Sequence, residues 1–204
     1  LIIKNAAHAD VAVLLCNAVK EADWPVIAEL AKNYRAVVPF LGIHPWNAPS
    51  AAPGWDTRLV DILASLNQGS GIGESGLDKK CPADFALQLE LFEMHLEIAS
   101  SLSLPIALHC VGSWGTFGDI LESLSRRNSL PTAMIHSFSG SYETMKRLTD
   151  IGCYISYSLK IMDPRWTKIR DVFTRTPLEQ LLLETDAPAE ISPQLLDIRQ
   201  TVTP

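Results

Sequence analysis

The stretch GSGIGESGLDKKCPADFALQLELFEMHLEIASSLSLPIALHC, residues 69–110, decides the fold. It opens on a short strand-like run, GSGIGE (Gly69 to Glu74), and closes on another, PIALHC (Pro105 to Cys110). Between them, Cys81 to Ser103 places Phe85, Leu89, Phe92, Leu96 and Ala99 three or four positions apart, the spacing of one helix face. Pro82 and Asp84 suit the first turn of that helix, and Pro105 stands just past its end. Most of the strand-like runs in this chain are short and apolar on either face, as parallel strands covered by helices are, and the glycines of GSGIGE make its boundary the less sharp one. The stretch therefore reads as strand, helix, parallel strand.

The same alternation extends outward in both directions. Further strands are expected at VAVLLC (Val11 to Cys16), AVVPFLGIH (Ala36 to His44), TAMIHSF (Thr132 to Phe138), GCYISYS (Gly152 to Ser158) and LLLET (Leu181 to Thr185). Helices are expected over Asp23 to Asn33, with Trp24, Ile27, Ala28 and Ala31 on one face, over Trp114 to Arg127, and over Ser141 to Ile151. Ser141 and Thr144 can cap or begin the last of these, and Gly152 can end it. Such a βα series builds either an open doubly wound sheet or a TIM-type (β/α)8 barrel. The first run ends in Cys16, Asn17 and Ala18, which is not the glycine-rich phosphate turn of a doubly wound sheet. Polar residues instead follow many different strands, which is where a barrel gathers its active site. The α/β barrel is the expected fold, as one domain over residues 1–204. Seven strands are one short of an eight-stranded barrel, and the missing one is expected ahead of Leu1; the helices that should follow the last strand are mostly absent before Pro204.

Composition narrows the function. Of the 204 residues, 47% are apolar and 20% charged, which excludes disorder, collagen and coiled coil. No apolar run approaches the roughly 18 residues of a membrane helix, so no membrane contact is expected. A net charge of −6 argues against a broad basic face on duplex nucleic acid. It leaves room for a phosphate at a metal-filled site, because bound ions dominate the local field. Cys16, Cys81, Cys110 and Cys153 are scattered with no CxxC pair, so free thiols in the reducing cytoplasm are expected.

Four strand ends carry ligand-type side chains: Glu74, His109, His136 and Asp186. Two carboxylates and two imidazoles at one barrel mouth would suit a divalent metal such as zinc, manganese or magnesium, and metal-assisted hydrolysis. Singly, each has a plainer reading: a solvated loop carboxylate for Glu74, core histidines for His109 and His136, and for Asp186 the cap of a helix starting near Pro188. The joint pattern favours metal. His44, in GIHPW, either contacts substrate or metal-bound water or is held by its own turn before Pro45. Lys79 and Lys80 either attract an anionic substrate or form a solvated pair. His95 reads as structural or solvent-facing, and Cys110 as packed on the strand face opposite His109.

GIHPW, GIGESGLD, LPIALHC, IHSFSG and LLLETDAP, in this order, resemble the TatD family of metal-dependent hydrolases, the TatD-like deoxyribonucleases, from about Val11 to Pro188. The resemblance implies a (β/α) barrel of the amidohydrolase-like group, two divalent ions, and hydrolysis of phosphodiester bonds at DNA or other nucleic-acid ends. It implies that Glu74 bridges the ions, that His109 and His136 complete one metal site with it, and that Asp186 belongs to the other, beside the attacking water. The chain departs from the family pattern in three places. It has no early His-x-His motif, it carries Val111 where an Arg is usual, and it carries Trp46 where a second histidine or another polar residue often follows the GIHP turn. These departures motivate a second reading, a non-catalytic or single-metal barrel that acts as a scaffold. A third, a related barrel hydrolase acting on a C–N or ester bond, stays open because the metal-shell motifs do not separate substrates.

Overall fold

The structure is a computed structural model that describes residues 2–66 and 69–186. It divides into two compact units, residues 1–134 and 135–204.

The first unit runs α1 (Ile2–His8), β1 (Leu14–Asn17), α2 (Trp24–Asn33), β2 (Val37–Leu41), α3 (Trp55–Ala64), β3 (Gly71–Asp78), α4 (Phe85–Ser101), β4 (Ile106–Val111) and α5 (Trp114–Arg126). β1 pairs with β2, β2 with β3 and β3 with β4, all parallel. The chain passes into the second unit within β5 (Ala133–Ile135). That unit continues with α6 (Tyr142–Asp150), β6 (Tyr154–Tyr157), α7 (Thr167–Arg175) and β7 (Leu181–Leu183), and β6 and β7 are parallel. This is the βα repeat of the TIM class, and each of the seven expected strands is present. β3 is longer than expected: it continues through Gly76 to Asp78, all of it buried. At Gly76 a side chain is excluded, because its φ is +149° and a Cβ would lie 1.9 Å from the carbonyl oxygen of His109. That close approach sets β3 and β4 edge to edge.

The helices bury the faces their periodicity predicts, with one rotation. In α2 the buried residues are Trp24, Ile27, Ala28 and Ala31. In α6, Ser141 is the N-cap and its hydroxyl accepts from the Thr144 N–H at 3.2 Å. In α4 the buried face is Gln88, Leu91, Phe92, His95, Leu96 and Ala99 rather than the purely apolar stripe through Phe85 and Leu89. Two polar side chains turn inward because backbone groups await them. The Gln88 carbonyl accepts from the Asp78 N–H at 2.8 Å. Phe92 on this face stacks on Phe117 of α5, ring centroids 5.3 Å apart, and each such buried ring contributes roughly 1.5–3 kcal/mol. The sequence reading did not include α3 or α7; in α3, Trp55, Leu59 and Leu63 nevertheless line up one turn apart and are buried.

His95 is fully buried. Its ring stacks on Trp55 at 4.5 Å, its Nδ1–H donates to the Leu91 carbonyl at 2.6 Å, and its Nε2 accepts from the Ile43 N–H at 3.2 Å. It is structural, and it is neutral: burial lowers its pKa from 6.5 to about 4. The unfolded chain takes up this proton near pH 6.5 and the folded one only near pH 4. Stability is therefore whole above about pH 6.5 and falls as the pH drops toward about 4, by on the order of 3 kcal/mol from this residue. Urea denaturation across that range is expected to show the slope, and His95→Gln to flatten it.

In the second unit, Tyr157 of β6 is buried and its hydroxyl pairs with the Thr176 hydroxyl at 2.7 Å. The Phe138 N–H donates to the Ser156 carbonyl at 2.9 Å, which holds the chain leaving β5 against β6. No helix among the described residues is long and apolar enough to cross a membrane. A helix starting near Pro188, and so the reading of Asp186 as its cap, lies outside the described residues.

Candidate metal centre

In the first unit, three side chains converge from three consecutive strands. Glu74 is in β3, His109 is in β4, and His44 follows β2. The Glu74 backbone is pinned by its N–H to the Ala18 carbonyl at 2.9 Å, and that of His44 by its N–H to the Val19 carbonyl at 3.0 Å, so the loop after β1 holds both. Glu74 is buried, 7% exposed as a residue. Its Oε1 lies 3.1 Å from His109 Nδ1 and 3.7 Å from His44 Nε2. The three ligand atoms lie within 4.8 Å of one another, a spacing that fits one metal ion.

A fourth residue, Asp78, orders the group. Sequence reasoning did not single it out, although Glu74, Gly76 and Asp78 alternate on one strand face and so point the same way. Asp78 is buried. Its Oδ2 faces His109 Nε2 at 3.2 Å and accepts the Trp46 indole N–H at 2.7 Å. Its Oδ1 accepts the Lys80 N–H at 2.8 Å. Burial pushes the Asp78 carboxyl up, but the hydrogen bonds from Trp46, Lys80 and His109 outweigh it and hold it below the usual carboxylate range. An ionised Asp78 takes the Nε2–H of His109 and leaves the Nδ1 lone pair turned toward Glu74.

His44 differs. Its Nδ1 accepts the Trp46 backbone N–H at 3.2 Å. A neutral imidazole that accepts at Nδ1 carries its proton at Nε2, so His44 presents a donor, not a lone pair, to the cluster. The turn reading of His44 is what the structure shows, at Nδ1, while its Nε2 faces Glu74 Oε1 at 3.7 Å. By this argument Glu74 and His109 are better suited than His44 to hold an ion, although the spacing groups all three.

The second unit carries its own cluster. His136 follows β5, and Glu184 and Asp186 follow β7. The Glu184 carboxylate accepts the Ser137 N–H and the Ser156 hydroxyl, each at 2.7 Å, and faces His136 Nδ1 at 2.9 Å. His136 Nε2 lies 3.3 Å from Asp186 Oδ1. Sequence reasoning named His136 and Asp186 and passed over Glu184, whose only signal was its place two residues before Asp186.

Both clusters share one chemical feature. An imidazole stands between two carboxylates, His109 between Glu74 and Asp78, His136 between Glu184 and Asp186. A neutral ring has one N–H, so one of its two contacts is lone pair against carboxylate. A divalent cation, or a second proton, relieves that repulsion. The donor set of nitrogen and carboxylate oxygen is the one transition metals and zinc take in hydrolytic sites. The residues present fit a metal. Buried thiols do not compete for it: burial pushes Cys110 and Cys153 up to about 12.

Comparison with known proteins agrees. The family model described as TatD related DNase matches residues 1–194. A relative in Escherichia coli K12, named as the uncharacterized metal-dependent hydrolase YjjV, is 31% identical over 191 residues, which are 91% of this chain and 71% of YjjV. A relative in Salmonella typhimurium, named as the 3'-5' ssDNA/RNA exonuclease TatD, is 32% identical over 162 residues, 78% of this chain and 61% of that protein. The crystal structure of YjjV, described as a TatD homologue, superposes with a TM-score of 0.80 at 29% identity, over 91% of this chain and 71% of that one. With the motif order, the βα repeat and the two carboxylate–imidazole clusters, these findings show that the chain belongs to the TatD family of metal-dependent hydrolases.

Proposed function

We propose that this protein is a nuclease that hydrolyses phosphodiester bonds at the end of a nucleic-acid strand, DNA foremost, with the help of divalent ions (Mg, Mn or Zn). The observation that carries the reading is the placing of each imidazole between two carboxylates, with the outer one fixing its tautomer. A relative named as an ssDNA/RNA exonuclease supports the choice of substrate. Glu74 and His109 in one unit, and His136 and Asp186 in the other, are the proposed metal ligands. A bound divalent ion supplies Lewis acidity to a phosphoryl oxygen and makes water more acidic. Asp186 is proposed to accept the proton of the attacking water at its carboxylate. His44, with its proton at Nε2, donates to a phosphate oxygen. Four free thiols support a cytoplasmic location.

The test is release of nucleotides from a labelled single-stranded oligonucleotide. Turnover is expected with manganese or magnesium, to vanish with EDTA, and to return on re-addition of metal. DNA and RNA ends left untouched, while a carboxylic ester or amide in the same panel is hydrolysed, would overturn the nuclease reading.

The role of Asp78 is checked separately. Three donors meet this carboxylate, and an amide would turn an N–H against one of them. Asp78→Asn is therefore expected to weaken manganese affinity roughly 10- to 100-fold, as loss of a group that orients a ligand does. Calorimetric titration of the metal measures it, and wild-type affinity in the variant would remove Asp78 from this role.

A further inference from the structure

Trp46 is 52% exposed, yet it is one of the most firmly tethered side chains at the first cluster. Its indole N–H and His109 Nε2 converge on the same oxygen, Asp78 Oδ2, at 2.7 and 3.2 Å. Its backbone N–H meets His44 Nδ1 at 3.2 Å. The ring is thus held by its edge, one carboxylate away from the proposed metal ligand His109. The indole hydrogen bond is made at the ring edge and uses neither π-face, and the exposure shows that solvent reaches part of the residue. A large aromatic side chain fixed at low remaining entropy and open to solvent is suited to receive a flat partner. Lys80 donates its backbone N–H to the same carboxylate, at Asp78 Oδ1, at 2.8 Å. Lys79 precedes it, with its ammonium 6.0 Å from the centre of the Phe85 ring, and both lysines are exposed. In a chain of net charge −6, two successive lysines directly after β3 locally favour an anion.

We propose that the exposed indole of Trp46 is a stacking platform for a base of a single-stranded nucleic acid whose end enters this site. The proposal rests on the nuclease reading for the identity of the strand and adds how the strand is held. Stacking of this kind is sequence-tolerant, because every base has a π-face, and contributes roughly 1–3 kcal/mol per base. It would let an acidic protein hold a strand end without a broad basic surface. Trp46, where the family pattern often has a polar residue, becomes a gain in strand binding.

The experiment measures binding to the metal-free protein, so that it does not depend on turnover. The probes are an oligothymidylate and an abasic deoxyribose-phosphate strand of equal length. Wild-type protein is expected to bind the thymidylate roughly 5- to 150-fold more tightly than the abasic strand. Trp46→Ala is expected to lose that difference, and Trp46→Phe, which keeps a ring but not the indole N–H, to retain most of it. Equal wild-type affinity for the two strands overturns the platform without any variant being needed. So does a Trp46→Ala protein that still prefers the thymidylate, or an absence of binding to either strand, which would leave Trp46 to a different kind of partner. Cleavage of the thymidylate by wild-type protein with manganese is scored apart. Cleavage without base-dependent binding leaves the nuclease reading standing and removes the platform. Base-dependent binding without cleavage does the reverse.

Discussion

Glu74→Ala is expected to lower kcat/KM for metal-dependent hydrolysis by about 1,000-fold, which is about 4 kcal/mol of transition-state stabilisation. Glu74 is the one buried carboxylate that faces both His109, at 3.1 Å, and His44, at 3.7 Å. Without it no carboxylate faces His109 Nδ1 and His44 Nε2, and the one left in the group, Asp78, is engaged with His109 Nε2, Trp46 and Lys80. The loss should appear first in metal binding, since an ion that is not held cannot act. Titration with manganese and a metal analysis of the purified protein read that directly. Glu74→Gln keeps the shape and removes the charge, so it separates electrostatics from packing. Its melting temperature without metal should stay close to that of the wild type while its activity falls with that of the alanine variant. Activity that survives in both would remove Glu74 from the site.

Asp186→Asn is expected to lower kcat by about 100- to 10,000-fold, the range for losing a general base. The substitution is unusually clean. Asp186 has a left-handed backbone, φ +47°, which asparagine tolerates better than most residues. The amide also keeps the volume beside His136 Nε2, 3.3 Å from Asp186 Oδ1 in the native chain. What it cannot do is accept a proton at neutral pH. Substrate affinity should therefore change far less than turnover, and single-turnover kinetics at saturating metal would separate the two. A variant that turns over normally would show that the proton goes elsewhere.

The chain's βα rhythm was legible because parallel strands covered on both faces are written as short apolar runs, and each run found its strand. The inward face of α4 was only partly legible. Gln88 stands outside the apolar stripe and His95 left a structural and a solvent-facing reading open; both turn inward, where they meet an Asp78 N–H, an Ile43 N–H and the Leu91 carbonyl. Trp46 read as a departure from a motif; its N–H bond to Asp78, 32 positions away, gives it a place at the site.

The sequence by itself determined the types of side chain at the strand ends, Glu74, His109, His136 and Asp186, and the turn after His44. The tertiary structure decided which nitrogen of each imidazole faces the chemistry. Asp78 holds His109 by Nε2 from 31 positions away, and Glu184 holds His136 by Nδ1 from 48. A tautomer is set by whichever carboxylate the fold brings to the far side of the ring. No local pattern encodes that neighbour, because strand pairing and packing, not sequence proximity, put it there.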